Sequence, residues 1–193
     1  MSNVTFTKFR TGSKLTPACI KALETQLGRK LPKDYRAFLL KYNGGSPDKA
    51  HFYVRTTGYP TWVDYFHSVD EHLAEPSPQA DPETISFKHH AFGDVVPEDC
   101  LIIGMVCTYD LLLLRLGGKR RGHVALKVIE PNEYLVGNWG KHKERGVYGI
   151  AKSFTEFLEM LKPEDAFRSY YDSLLSNPTA HSKPDRPKTT GPK

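Results

Sequence analysis

Side chains able to do chemistry fall into four short groups in this sequence. His89 and His90 are adjacent. Neighbours on an extended strand point to opposite faces, so the pair is poorly placed to share one metal ion. No cysteine or histidine stands at zinc-site spacing from it, and the plainer reading is a surface loop. Cys100 and Cys107 are seven residues apart at the ends of an apolar run. That spacing is neither a zinc knuckle nor a redox pair, so they read as small buried hydrophobes. Asp94, Glu98 and Asp99 cluster in GDVVPEDC. Carboxylates can move protons or hold a cation, but this spacing matches no calcium loop, and acids are ordinary in turns. Lys119, Arg120 and Arg121 in GGKRRG could grip phosphate. The segment lacks the phosphate-loop pattern and a following helix, so it reads as a solvated hairpin tip. No G-x-S-x-G elbow occurs, and a nucleophile needs a base beside it. No catalytic residue, metal ligand or cofactor site is expected. A hydrolase using His89, His90 and Asp94 is the enzymatic alternative.

The elements that position these groups are clearer. Thr16-Pro17 is a hydroxyl cap followed by proline at the first helical position. Ile20, Leu23 and Leu27 then share a face up to Gly28, which predicts a helix over Pro17 to Leu27. A second helix starts near Pro32 and carries the stripe Tyr35, Phe38, Leu39 and Tyr42. Asn43-Gly44-Gly45 ends it, because these residue types tolerate positive φ. A linker of about four residues makes the two helices a hairpin.

His51 to Arg55, Leu101 to Cys107, Leu111 to Leu116 and His123 to Ile129 read as strands, the last three as an antiparallel meander. Val147 to Ile150 is a further short strand. Thr61 to His67 fits either helix or strand. Glu75 to Glu83 holds three prolines and reads as a loop. Ser153-Phe154-Thr155-Glu156 is a capping box opening a helix with Phe154, Phe157, Leu158 and Leu161 on its apolar face. Another helix is expected from Pro163, with Phe167, Tyr170, Tyr171 and Leu174 facing inward. Helices, then strands, then helices make an α+β chain.

Composition narrows the function classes. The 193 residues carry a formal charge of +5. Residues 177–193 contain four prolines and no large apolar side chain, which predicts a disordered tail. The tail sets Lys183, Arg186, Lys188 and Lys193 against Asp185, leaving the body, residues 1–176, as one domain of charge +2. Much of the basic excess therefore sits on the tail, and a nucleic-acid partner is not expected. MSNVTFTKFR has no signal-peptide core, and no apolar run could span a bilayer. Three cysteines form no disulfide framework. A cytoplasmic protein is expected.

Ile20 to Pro47, read as I-x-x-L-E-x-x-L-G-x-x-L-P-x-D-Y-R-x-F-L-L-x-Y-N-G-G-x-P, closely resembles the SMI1/KNR4 family, also called the SUKH superfamily. VPEDCLIIG, GHVALKV and the serine-capped GIAKSFTEFLEML resemble its later segments, so the similarity spans about Leu15 to Leu161. It implies a twisted, mostly antiparallel sheet with an N-terminal helix pair and C-terminal helices, and makes Thr61 to His67 a strand. Leu31, Pro32, Tyr35, Phe38, Leu39, Asn43, Gly44, Gly45, Ser153, Phe154, Glu156, Phe157 and Leu158 match the family's structural motif. Family members are best known as bacterial immunity proteins that bind and neutralise toxin domains, and fungal relatives act as regulatory scaffolds. The resemblance thus implies a non-catalytic protein-binding domain whose partner is a cognate toxin. A scaffold for an endogenous protein is the alternative. Tyr59, Trp62, Lys119, Arg120, Arg121 and Trp139 are the candidate partner contacts, because aromatic and arginine side chains dominate interface energetics.

Overall fold

A computed structural model of the chain describes residues 4–54, 58–70, 83–129, 143–168 and 172. The tail 177–193, most of the proline-rich loop, Trp139, Tyr170, Tyr171 and Leu174 lie outside them.

Helix α1 (Pro17–Gln26) starts as its sequence dictates: the Thr16 hydroxyl accepts from the Cys19 amide at 3.3 Å. Leu27 caps it, and Gly28 follows at φ 61°. Helix α2 (Lys33–Tyr42) ends on Asn43 in the left-handed region, φ 48°. Tyr35, Phe38 and Leu39 are buried.

Asn43 does more than end a helix. It is 2% exposed, and its side-chain nitrogen donates to the carbonyls of Ser13 at 2.8 Å and Val69 at 3.0 Å. Its oxygen accepts the Val69 amide at 2.7 Å, and its backbone carbonyl accepts the Gly12 amide at 2.9 Å. Three chain segments are thereby tied at one residue.

The next residues are not only a turn. Gly44–Pro47 forms strand β2, between β1 (Phe6–Thr11) and β4 (Tyr59–Phe66). Neither β1 nor β2 is signalled by side-chain pattern, since the pairing is carried by backbone. Gly44 has φ 91°, and a Cβ there would sit 2.9 Å from the Phe66 carbonyl oxygen, so the close approach needs glycine.

Strand β3 (His51–Val54) pairs with the first half of β4, Val54 opposite Tyr59 and His51 opposite Trp62. β2 takes the same edge of β4 at Phe66. Thr61 to His67 is thus strand. The sheet continues antiparallel through β5 (Cys100–Val106), β6 (Asp110–Arg115), β7 (Val124–Lys127) and β8 (Val147–Ala151).

Both faces of the sheet centre are buried. Leu101, Ile103, Leu112, Leu114, Val124 and Leu126 join the core under the helices. Cys100, Ile102, Leu111, Leu113 and Ala125 point the other way, into a second core with Val95 and Val96. A bulge between Ile102 and Gly104 resets the alternation, so Met105 faces the second core and Val106 the first.

Helix α3 (Ile85–Phe92), capped by the Thr84 hydroxyl, reaches from the first core at Ile85 to the second at Phe92. The expected surface loop around His89-His90 is therefore corrected to helix. Its short amphipathic pattern, next to glycine- and proline-rich sequence, hides it.

Helix α4 (Phe154–Met160) opens on Ser153, whose hydroxyl accepts the Glu156 amide at 3.0 Å. Glu156 reaches back to the Lys152 amide at 2.8 Å, one residue before the cap. Phe154 of this helix packs on Tyr35 at 4.9 Å and on Phe38 at 5.0 Å between ring centroids. The segment expected to be helical from Pro163 opens with a 3₁₀ turn over Glu164–Phe167; Arg168 and Asp172 are helical, and Tyr170, Tyr171 and Leu174 lie outside the described residues.

Two stability predictions follow from this packing. Asn43→Ala strands the Val69 amide and two carbonyls, and is expected to cost about 3 kcal/mol in urea unfolding. A cost below about 1 kcal/mol would remove the three-segment tie as a stability determinant. The Tyr35 hydroxyl is buried without a hydrogen-bond partner among the described residues. Tyr35→Phe is therefore expected to leave stability unchanged or raise it by about 1 kcal/mol, and a clear loss would disprove the unsatisfied hydroxyl.

Candidate functional site

Sheet register decides which candidate residues can act together. Phe66 lies opposite Gly104 and Val63 opposite Val106, while Cys100 lies opposite Arg115 and Val106 opposite Asp110. Tyr59 and Trp62 therefore lie toward the sheet end carrying the Cys107–Tyr109 turn. Lys119, Arg120 and Arg121 lie beyond Arg115, at the opposite end. The sheet thus splits the candidates between two rims, and Trp139 is outside the described residues.

At the first rim the half-buried Trp62 donates from Nε1 to Asp64 Oδ1 at 2.8 Å. The other Asp64 oxygen accepts the Thr108 amide at 2.6 Å, and the Trp62 carbonyl accepts the Cys107 amide at 3.1 Å. Cys107 and Thr108 have φ of 46° and 74°. Such a conformation is costly for a β-branched residue, and the Asp64 carboxylate holds it in place. Tyr109, at the tip, is 62% exposed; with Tyr53 on β3 it is an exposed aromatic that sequence reading missed. Tyr109 lies in a turn, which offers no periodicity from which exposure could be read.

The second rim is electrostatic. Arg121 Nη2 donates to the Lys30 carbonyl at 3.0 Å and the Leu31 carbonyl at 3.3 Å. The Arg29 guanidinium lies against Gly117, where a Cβ would come within 2.6 Å of it. The β6–β7 turn is thus clasped to the linker between α1 and α2.

Glu24 is buried beneath them. It accepts from Lys30 Nζ at 2.9 Å and from the Leu31 amide at 3.0 Å, with Arg36 3.9 Å away. Burial pushes its carboxyl up, but the Lys30 hydrogen bond, the Leu31 amide and the charges of Lys30 and Arg36 outweigh this and hold it below the usual 4.5.

The remaining groups are engaged or electrically quiet. Burial, reinforced by Asp99 and Glu144, pushes the Cys100 thiol up to about 12 despite Arg115, the reverse of an activated nucleophile. Asp99 and Glu144 both accept from Arg115, at 2.7 and 2.8 Å. Glu98 pairs with Lys143 at 3.7 Å, and Asp94 is exposed. His89 and His90 line a cavity of about 330 Å³ between α1 and α3, shared with Leu23, Leu27 and Ser86. His89 Nδ1 and Ser86 Oγ are buried there without hydrogen-bond partners among the described residues. Among the described residues, no group of three or more His, Cys, Asp or Glu is placed to hold a metal. No helix among them is long and apolar enough to cross a membrane.

Architecturally this is an α+β domain on an open antiparallel sheet, with recognition-type side chains at its rims. The profile of the SMI1 / KNR4 family (SUKH-1) matches residues 14–160, and the chain belongs to that family. No curated relative matches it.

Burial holds the His89 ring below its usual 6.5, and His51 likewise, where burial outweighs the attraction of Glu164. A depressed folded value means that protonation favours the unfolded chain. Stability is therefore full above about pH 6.5 and falls as pH drops below it. Urea midpoints measured on acidification are expected to fall through this window, and His89→Gln to flatten the fall. Equal slopes for both proteins would remove His89 from the account.

Proposed function

We propose that this chain is a non-catalytic immunity protein, acting in the cytoplasm by binding a cognate toxin domain and occluding its active face. The observation that carries this reading is membership of the SMI1/KNR4 family across residues 14–160. The chemistry agrees with it: Cys100 is held as a thiol, and Asp99, Glu98 and Glu144 are committed to ion pairs. Side chains of the type that anchor protein interfaces stand at the rims, with Trp62 and Tyr109 at one and Arg120 and Arg121 at the other. Tyr59, Lys119 and Trp139 complete the proposed contact set. Occlusion of a toxin requires an interface of about 1,600 Å² of total buried surface.

The test is co-expression with each toxin domain encoded beside the gene. One of them is expected to be neutralised and to co-elute with this chain as a stable complex. Growth arrest that persists with every neighbouring toxin would refute the proposal. Capture of an endogenous protein instead would favour the scaffold role.

A further inference from the structure

Two turns remote in sequence meet at the second rim, and both are basic. The α1–α2 linker and the first residue of α2 supply Arg29, Lys30 and Lys33; the β6–β7 turn supplies Lys119, Arg120 and Arg121. All six side chains are exposed. Neither 28–33 nor 117–122 contains a carboxylate. Glu24 is buried below and neutralises Lys30, and the nearby Asp99 is spent on Arg115. Arg29, Lys33, Lys119 and Arg120 have no ion-pair partner among the described residues.

Gathering like charges costs energy, and folding here brings them together rather than apart. The clasp from Arg121 to the Lys30 and Leu31 carbonyls fixes the cluster's shape, with Leu31 and Pro32 buried beneath it. A cluster of one sign, held in shape and with a counter-ion only at Lys30, is complementary to an external acidic surface.

We infer that the rim formed by Arg29, Lys30, Lys33 and Lys119 to Arg121 is the docking face for an acidic surface patch on the protein partner. The inference rests on the binding role proposed above and specifies where the partner sits and what charge it presents. A protein fits better than a nucleic acid. Neither turn carries an aromatic side chain on which a base could stack. The exposed aromatics Tyr53 and Tyr109 belong to β3 and to the β5–β6 turn, away from the cations. The partner's acidity also distinguishes it from a basic nuclease domain, which this rim would repel.

The test uses the full chain and the toxin domain that it neutralises. One variant combines Arg29→Glu, Lys119→Glu and Arg120→Glu, which spares the Arg121 hydrogen bonds to Lys30 and Leu31 and the Lys30–Glu24 pair. A control of equal charge change combines Lys21→Glu, Lys41→Glu and Lys152→Glu at exposed positions elsewhere. A third variant, Lys119→Gln with Arg120→Gln, covers the case in which charge reversal disturbs folding, monitored by circular dichroism.

The rim reversal is expected to weaken toxin binding by about tenfold or more, chiefly through slower association, and to flatten its salt dependence. The control is expected to stay within about threefold of wild type. Equal affinities for rim variant and control would overturn the inference while leaving the binding role intact. A wild-type chain that binds no toxin overturns both. Tight binding of a fluorescent single-stranded RNA or duplex DNA that disappears in the rim variant, with toxin affinity unchanged, would assign the cluster to phosphate and overturn the inference.

Discussion

The Phe38 ring is where this fold is held together. It lies against Phe6 of β1, Phe66 of β4, Phe154 of α4 and its own helix neighbours Tyr35 and Tyr42, at centroid separations from 5.0 to 5.9 Å. Tilted and stacked ring packing of this kind adds to plain area burial. Short helices such as α1 and α2 are marginal in water on their own. Their persistence depends on this aromatic contact with the sheet. The contact in turn requires the chain to reverse immediately after Tyr42 and enter the sheet. Asn43 meets that requirement because it tolerates left-handed backbone while its amide holds Ser13 and Val69.

Much of this architecture is legible in the residues. Capping and periodicity locate α1, α2 and α4, and apolar runs between turn residues locate β5, β6 and β7. Physical reasons separate these from what is hidden. β2 is Gly-Gly-Ser-Pro, a composition depleted in strands; backbone approach to β4 explains it, and that approach depends on a partner distant in sequence. α3 has one strong signal, the Thr84 cap, and a weak apolar face. The second core is hidden because central strands buried on both faces show no alternation.

For the candidate site, composition identified GGKRRG as a basic turn. Arg29, Lys30 and Lys33 could not be joined to it, since no local pattern predicts contact between positions about ninety residues apart.

Burial of both sheet faces has a functional corollary. With α1, α2 and α4 on one side and the second core on the other, the middle of the sheet has little left to offer a partner. Among the described residues the rims carry accessible side chains, and there turn geometry sets the chemistry. One rim is aromatic and held by a carboxylate, Asp64; the other is cationic and clasped by a guanidinium, Arg121. Rigid strands position both, so the turns can differ without disturbing the ring cluster beneath.

The Arg121 clasp spans 91 positions. While the chain is being synthesised, Lys30 leaves the ribosome long before Arg121 exists. Until the meander has closed, the two groups of cations are separate, and neither makes a shared face. The surface thus exists only in the folded chain, and any ligand specific to it would draw the population toward the intact form.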